Sequence, residues 1–284
     1  MEIVDLAHNG DKKIYQEHAV GINQTVTNNG VSVTIDNIAC DGNFIAVFYT
    51  ASSKKANKES IHNYSSGYIK LNNNPKPISI SMNNTDGYLT DEGTLKAMVR
   101  QNISEYKLED EIKMDIVINS ALNKQGNWNF KISIPKAKAM SENKVLTVNK
   151  PVFVKMPTRE YNIVIESINL APMGNTITIS SGSKDNANQT KGQNQIPLDL
   201  FALYDDKGNS LGILDDRGSQ SGRQDRRSFE FIKLKEDTKS LTFVPIYSYA
   251  DNAPKEINYN PAIDINKLPG EYKLSSNGSV IVEN

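Results

Sequence analysis

The chain has 284 residues, and 32 Lys and Arg against 33 Asp and Glu leave a formal net charge of −1. A balanced charge gives no electrostatic reason to expect nucleic acid or an anionic membrane surface as a partner. The single cysteine, Cys40, excludes an internal disulfide and any cysteine cluster for zinc or iron–sulfur. The longest apolar runs are the size of a strand, far below the ~20 residues of a membrane-spanning helix.

The N-terminal residues carry no signal-peptide pattern, because Met1–Leu6 lacks a basic region and an apolar core. Glu2 to Tyr15 is a weak amphipathic helix candidate of mixed charge. We interpret residues 1–21 as a leader or tether that precedes the first folded domain.

Alternation of apolar and polar residues begins after this leader and predicts strands. Val31 to Ile35 alternates and predicts a strand with one buried face. Asp41 to Asn43 predicts a tight turn. Phe44 to Tyr49 is apolar at every position, which is typical of a central strand covered on both sides. Leu95 to Ile103 fits either a helix or a strand, and its β-rich neighbours favour a strand.

A second hairpin follows in the same region. Ile112 to Ile118 alternates, Lys124 to Asn127 is the predicted turn, and Trp128 to Ile134 alternates back. The alternation places Trp128 in the core.

Prolines then interrupt the pattern, and we place a domain boundary near Met156. Val145 to Val148 and Val152 to Val154 resemble short edge strands beside these prolines. The predicted domains are residues 22–156 and 157–284, after the leader at 1–21.

The second region repeats short strands separated by turn signals, as β-sandwiches do. The sequence therefore predicts an all-β protein of two immunoglobulin-like β-sandwich domains in tandem, with little helix. The strands predicted after the boundary lie at Tyr161–Ile165, Ile177–Ile179, Leu198–Tyr204, Leu211–Leu214, Phe229–Leu234, Leu241–Tyr247, Glu271–Leu274 and Val280–Val282.

Few residues offer catalytic or metal-binding chemistry. The three histidines, His8, His18 and His62, stand in no metal-binding spacing. Cys40 has no basic neighbour in sequence and is interpreted as a buried structural thiol. The chain lacks a nucleophile elbow, a phosphate-binding loop and a dinucleotide fingerprint. We expect no catalytic residue, no metal site and no cofactor.

Paired carboxylates are the remaining catalytic candidates, because glycosidases need two carboxyl groups about 5 to 9 Å apart. The pairs are Glu109–Glu111, Asp205-Asp206 and Asp215-Asp216. The second pair lies in a sequence typical of a hairpin turn. Asp215, Asp216 and Ser219 are interpreted as a loop, with a calcium site as the alternative, since the acidic spacing of a helix-loop-helix site is absent.

Four arginines form the only speculative interaction site: Arg217, Arg223, Arg226 and Arg227. Guanidinium groups bind phosphate or carboxylate polymers, such as those of a bacterial wall, through bidentate hydrogen bonds. Acidic residues lie among them, so a mixed, solvated loop is the alternative interpretation. Tyr64 and Tyr68 are candidates for stacking on sugar rings.

One stretch resembles a known family. The run INQTVTNNGVSVTIDNIACDGNFIAVFYT, Ile22 to Thr50, is similar to the opening of extracytoplasmic domains of unknown function in Gram-positive membrane proteins related to anti-sigma factors. Gly126 to Phe130 resembles the late, tryptophan-led strand of that family. Tyr161 to Ile179 resembles the start of an immunoglobulin-like second domain that often follows. The resemblance extends from about Ile22 to Val282 and carries no catalytic residues.

The resemblance implies a non-enzymatic extracytoplasmic region that senses or contacts an unknown extracellular ligand or cell-wall component. We expect a tether in the cytoplasmic membrane, with a spanning run of about 20 apolar residues within about 50 residues upstream of Glu2. The alternatives are a secreted carbohydrate-binding or adhesion module and, ranked last, a glycosidase or other hydrolase.

Overall fold

The structure is a computed structural model, and it divides into two compact units. Unit 1 comprises Met1–Asn143 with Ala171–Met173, and unit 2 comprises Lys144–Leu170 with Gly174–Asn284. The described residues are 12–54, 65–72, 74, 76–81, 85–90, 93–136, 142–156, 159–182, 201–221, 224–235, 237–247, 255–256, 262–264, 272–274 and 280–282.

The described residues of unit 1 form one short helix and two antiparallel sheets. One sheet has the strand order β1-β2-β3-β7-β6 and the other the order β5-β4-β8-β9. The elements are α1 (Lys12–His18), β1 (Ala19–Asn28), β2 (Val31–Cys40), β3 (Phe44–Ser52), β4 (Ser66–Leu71), β5 (Ile78–Ile80), β6 (Thr85–Leu89), β7 (Thr94–Asn102), β8 (Glu111–Ala121) and β9 (Lys124–Pro135).

The alternating residues of both sheets form the core of this unit. Strand β8 buries every second residue from Ile112 to Ile118, and β2 buries Val31, Val33 and Ile35. Trp128 is fully buried, and its Nε1 donates to the backbone oxygen of Val31 at 3.0 Å, which joins the two sheets. The structure confirms the core position predicted for Trp128.

Two hairpin turns show how residue choice follows conformation. Asn29 and Gly30 turn β1 into β2 with positive φ angles of 47° and 71°, the geometry that Asn-Gly favours. The turn between β8 and β9 is Leu122-Asn123, with φ angles of 49° and 60°, so the predicted turn at residues 124–127 is wrong. Gly126 was interpreted as a turn residue, but glycine is needed there for packing. A Cβ at this position would lie 2.4 Å from Trp128 Cη2.

The outer face of β3 is covered, as its apolar sequence predicts. Phe44 and Phe48 are buried on this face, and the Tyr15 ring of α1 meets the Phe48 ring edge-on at a centroid distance of 5.6 Å. Met173 belongs to the same apolar cluster. Residues 12–21 are therefore a packed part of unit 1, since α1 and the start of β1 lie there, and the predicted leader is wrong for these residues.

In unit 2, the described residues form two further antiparallel sheets and a separate hairpin. The sheets have the orders β10-β11-β12-β16-β15 and β14-β13-β17-β18, with β19 also paired to β17, and β20 pairs with β21. The strands are β10 (Lys144–Met156), β11 (Arg159–Leu170), β12 (Asn175–Gly182), β13 (Phe201–Asp205), β14 (Ser210–Leu211), β15 (Ile213–Ser221), β16 (Gln224–Phe231), β17 (Ser240–Tyr247), β18 (Lys255–Glu256), β19 (Ala262–Asp264), β20 (Tyr272–Leu274) and β21 (Val280–Val282).

An aromatic group lies at the centre of the unit 2 core. The Phe201 ring contacts the rings of Phe229 and Phe243 at centroid distances of 4.8 and 4.9 Å. Aromatic pairs of this kind add about 0.5–1.5 kcal/mol beyond the area they bury.

Strand β10 sets the start of unit 2 earlier than the predicted boundary near Met156. It is one continuous edge strand with a bulge between Thr147 and Lys150, where two short strands were predicted. Its register partners lie on β11, so hydrogen bonding places Lys144–Met156 in unit 2. Pro151 is tolerated because an edge strand needs only one set of ladder bonds.

The predicted fold class is confirmed: the protein is all-β, with each unit a sandwich of antiparallel sheets. Leu95 to Ile103 is a strand for most of its length, as favoured. Within the described residues, no helix has the length and apolarity needed to cross a membrane.

Candidate functional site

The predicted arginine site falls on the hairpin of β15 and β16. In the strand register, Arg217 lies opposite Ser228, and Arg227 lies opposite Gly218. Arg223 lies outside the described residues. The segment from Asp215 to Ser219 is part of a strand, so the predicted loop is wrong there.

Two of these arginines cannot share one contact surface. Arg226 and Arg227 are consecutive strand residues, which point to opposite faces of a sheet. Arg226 Nε donates to Glu166 Oε2 at 2.7 Å, and both side chains are partly buried. Sequence reasoning missed Glu166, because it lies on β11 and is distant in sequence. The interaction role of the arginine site stays a prediction.

The acidic candidates show structural roles where their side chains are described. Asp205 Oδ1 accepts from the backbone N–H groups of Lys207 and Asn209, at 3.0 and 2.7 Å, and so fixes the β13–β14 turn. Hydrogen bonding from Asn209 lowers the pKa of Asp205. Asp206 Oδ1 accepts from the backbone N–H of Lys239 at 2.9 Å. Both carboxylates are thereby engaged with backbone groups.

The remaining acids form no described metal site. Hydrogen bonds from Ser133 and Lys113 lower the pKa of the exposed Glu111. Asp215 and Asp216 lie on β15, and their side chains are outside the described residues. Within the described part of the chain, no three His, Cys, Asp or Glu side chains come close enough to hold a metal ion.

Cys40 is buried, as predicted. Burial raises the pKa of its thiol, which disfavours the reactive thiolate. Of the three histidines, His18 lies within the described residues, and it is nearly buried at the end of α1. His8, His62 and Tyr64 lie outside the described residues.

The buried carboxylate of Asp41 in unit 1 accepts three backbone hydrogen bonds. Its Oδ1 accepts from the backbone N–H groups of Asn43 and Phe44, at 2.7 and 2.8 Å. Its Oδ2 accepts from the backbone N–H of Met173 at 2.6 Å, and Arg100 donates to the Met173 backbone oxygen at 2.8 Å. Burial raises the pKa of Asp41, while these N–H groups and the Arg100 charge oppose the rise.

This arrangement suits anchoring better than catalysis. Asp41 is fully buried, and its two oxygens already accept three backbone hydrogen bonds, so little capacity remains for a substrate. The Arg100 guanidinium lies 3.7 Å above the centre of the Phe44 ring, a cation–π contact. The sequence predicted the turn at Asp41, but the partner at Met173 is separated by 132 positions and could not be read from it.

An open depression on the outer face of the β5-β4-β8-β9 sheet is the strongest candidate for binding. Its volume is about 270 Å³. Tyr68 lies on the same face of β4, is 37% exposed, and precedes Lys70 by two residues. The residues that line the depression are Lys70, Asn72, Lys113, Met114, Asp115, Lys131, Ile132 and Ser133.

Sequence analysis did not single out these lysines. They are spread over three strands, and only the register brings them together: Lys70 lies opposite Asp115, which lies opposite Lys131. The available signal was the alternation of outward polar residues along β8 and β9, which is also ordinary for any solvated sheet face. Tyr68 was the one residue of this surface named beforehand.

Comparison with known proteins finds two families of unknown function. Residues 143–274 match the family of unknown function DUF5643, and residues 2–53 match the domain of unknown function DUF4179. No curated protein matches the chain. The chain thus carries segments similar to two uncharacterised domain families.

A solved structure is similar over most of the chain. It is the crystal structure of a conserved domain protein from Bacillus anthracis, with 17% sequence identity and a TM-score of 0.55. The similarity covers 90% of this chain and 95% of that chain. At this identity the likeness supports the fold and nothing further.

Proposed function

We propose that this chain is a non-enzymatic, extracytoplasmic sensing or interaction region of a single-pass membrane protein that resembles an anti-sigma factor. In this role the β-sandwich units contact something outside the cytoplasmic membrane, and the membrane tether lies upstream of the segment. The contact carries information by binding, so no bond is made or broken in the ligand.

The observation that carries this proposal is the sequence similarity of the N-terminal region to known domains. Ile22 to Thr50 resembles extracytoplasmic domains of Gram-positive proteins related to anti-sigma factors. The DUF4179 match at residues 2–53 overlaps this stretch, and that domain is common in proteins of the anti-sigma-factor type. The open, charged depression of unit 1 supplies a surface suited to contact with a ligand.

A second candidate is a secreted carbohydrate-binding or adhesion module. The exposed Tyr68 favours it, because an aromatic ring on a polar sheet face is suited to stacking on the C–H groups of a sugar ring. The two candidates differ in whether the natural protein is anchored and whether it reports to transcription.

Protease treatment of intact protoplasts tests the location of the natural protein. We expect an antibody against unit 2 to lose its signal when protease is added outside the membrane, while a cytoplasmic control protein survives. Fractionation should leave the full-length protein with the membrane. Protection of unit 2 in intact protoplasts would contradict both candidates, and recovery in the medium would favour the secreted one.

Deletion of the gene tests the signalling role. We expect transcripts that depend on one alternative sigma factor to rise when the protein is absent and to return when it is restored. An unchanged transcript profile under growth and wall-stress conditions would contradict an anti-sigma-like role and leave a binding role to be tested directly.

A further inference from the structure

The surface in question is the outer face of the β5-β4-β8-β9 sheet, which we call the lysine face: Tyr68, Lys70, Lys113, Asp115, Asn129 and Lys131. The register sets these residues in rows. Lys70, Asp115 and Lys131 lie across from one another on β4, β8 and β9, and Tyr68 lies in the next row, opposite Val117. Neighbouring strands are about 4.8 Å apart, so Lys70 and Lys131 are separated by about 10 Å at the backbone.

Charge on this face is positive where the depression lies. Three lysines line it against Asp115, and the Glu111 carboxylate lies beside Lys113, so one positive charge remains in excess; all five side chains are exposed. Within the described residues, Lys113 forms an exposed ion pair, with its Nζ 3.4 Å from Glu111 Oε2, and Lys70 and Lys131 form none. The amines of Lys70 and Lys131 are therefore available to an anionic ligand.

The type of cation suits phosphate groups. Lysine binds phosphate as a point charge, whereas arginine is favoured for planar, bidentate recognition of both carboxylate and phosphate. The lining of the depression contains lysine and no arginine. A chain that carries separate phosphate groups therefore suits these separate point charges.

Asp115 and Tyr68 narrow the ligand further. A bare polyphosphate would be repelled by the Asp115 carboxylate between Lys70 and Lys131. A hydroxyl group would instead donate a hydrogen bond to it. The Tyr68 ring offers an apolar surface to the C–H groups of a polyol or sugar. The lysine face therefore alternates between groups that suit phosphate and groups that suit hydroxyl-bearing carbon.

We propose that the lysine face binds a phosphodiester-linked polyol or sugar polymer, with Lys70, Lys113 and Lys131 contacting phosphates, Asp115 accepting from hydroxyls, and Tyr68 packing on the carbon chain. This inference rests on the proposed function, since it names the class of extracellular ligand. Its test uses the purified chain, so the two are separable.

The test measures binding of end-labelled poly(glycerol phosphate) by fluorescence anisotropy at low and high salt. The variant with Lys70, Lys113 and Lys131 all changed to Gln should bind about tenfold more weakly, at an average of about 0.5 kcal/mol per exposed contact. The control changes Lys13, Lys233 and Lys235 to Gln, which alters net charge equally at exposed lysines outside the lysine face. Unfolding followed by Trp128 fluorescence verifies that the triple variant is folded.

Two single variants test the alternating character of the lysine face. Asp115→Asn should strengthen binding of inorganic polyphosphate more than binding of poly(glycerol phosphate), because it removes repulsion of phosphate but replaces a charged hydroxyl acceptor with a weaker, neutral one. Tyr68→Ala should weaken poly(glycerol phosphate) binding and leave polyphosphate binding unchanged. Equal effects on both polymers would overturn the assignment of a hydroxyl-bearing chain.

Other outcomes would overturn the proposal as a whole. These are absence of poly(glycerol phosphate) binding by the unmodified chain, equal weakening by the two lysine triples, and tighter binding of single-stranded DNA or of phosphatidylglycerol vesicles than of the polymer. Binding that follows the predictions while protoplast protease assays place the protein inside the cell would sink the proposed function and leave the phosphopolymer surface standing. The reverse pattern would remove the surface alone.

Discussion

The two sheets of unit 1 bury their inner faces alike but differ on their outer faces. On the β1-β2-β3-β7-β6 sheet, Phe44 and Phe48 lie in an apolar cluster with Tyr15 of α1 and with Met173. On the β5-β4-β8-β9 sheet, most outward residues of β8, among them Lys113, are exposed. One outer face is thus built for packing within the protein and the other for water or a ligand.

The burial patterns of the strands show the same difference. Strand β3 is buried at its first six positions, whereas β8 alternates between buried and exposed residues along most of its length. A face that packs against protein gains about 25 cal/mol per Å² of apolar surface removed from water, and a face that meets water must stay polar. The comparison teaches that the covered face supports stability and leaves the open face free for binding.

The largest effect is expected on the covered face. Phe48→Ala removes a ring that contacts Tyr15, and a buried Phe→Ala change costs about 3–5 kcal/mol in the free energy of unfolding. Urea unfolding followed by tryptophan fluorescence measures it, because the chain's single Trp lies in the unit 1 core. Tyr68→Ala on the open face is the matched aromatic control and should change the free energy of unfolding by less than about 0.5 kcal/mol. Similar losses in both variants would break the comparison.

A smaller loss is expected when the anchor beneath the covered face is altered. Asp41→Asn keeps one oxygen for the N–H groups of Asn43 and Phe44 but turns an amide donor toward the N–H of Met173. A buried donor without an acceptor costs about 1–3 kcal/mol. The same fluorescence measurement applies, with Asp86→Asn, an exposed aspartate of β6, as control. A variant as stable as the unmodified chain would show that Asp41 does not anchor Met173.

The sequence predicts the strands of both sheets because burial follows local periodicity. Alternation identified β2, β8 and β9, and the all-apolar run identified β3 as covered on both faces. The pattern does not say what covers a face, since Met173 reaches the β3 cluster from a position far along the chain. The prediction of the turn between β8 and β9 was wrong for a local reason. Leu122 has a positive φ that is unusual for leucine and is offset by burial of its side chain, whereas Gly126 resembles a turn residue.

The candidate site was less predictable than the fold. The four arginines are close in sequence, yet Arg226 and Arg227 occupy opposite faces of β16 and Arg226 pairs with Glu166. The residues of the lysine face show the opposite arrangement, because they are distant in sequence and become neighbours only through strand register. Binding surfaces on sheets arise across strands, so a cluster along one segment is a poor guide to them.

The pH dependence of stability tests the charge state of the anchor. Burial raises the pKa of Asp41 above its ordinary value of 3.8, so between these two pKa values the folded state binds more protons than the unfolded state. The free energy of unfolding should therefore fall as pH rises through that interval. Asp41→Asn lacks this contribution, so its deficit relative to the unmodified chain should shrink with rising pH. A deficit that grows with pH would mean that the N–H groups and Arg100 outweigh burial.

The smallest effect on stability is expected on the open face. Lys70→Gln replaces an exposed side chain for which no ion pair is recorded within the described residues, so the free energy of unfolding should stay within about 0.5 kcal/mol. The matched covered-face change is Tyr15→Ala, which removes a ring that is 2% exposed and should cost several times more. Urea unfolding followed by Trp128 fluorescence compares the two. If Lys70→Gln destabilised unit 1 by more than about 1 kcal/mol, the lysine would be part of the packing, and the open face would lose its standing as a surface reserved for a ligand.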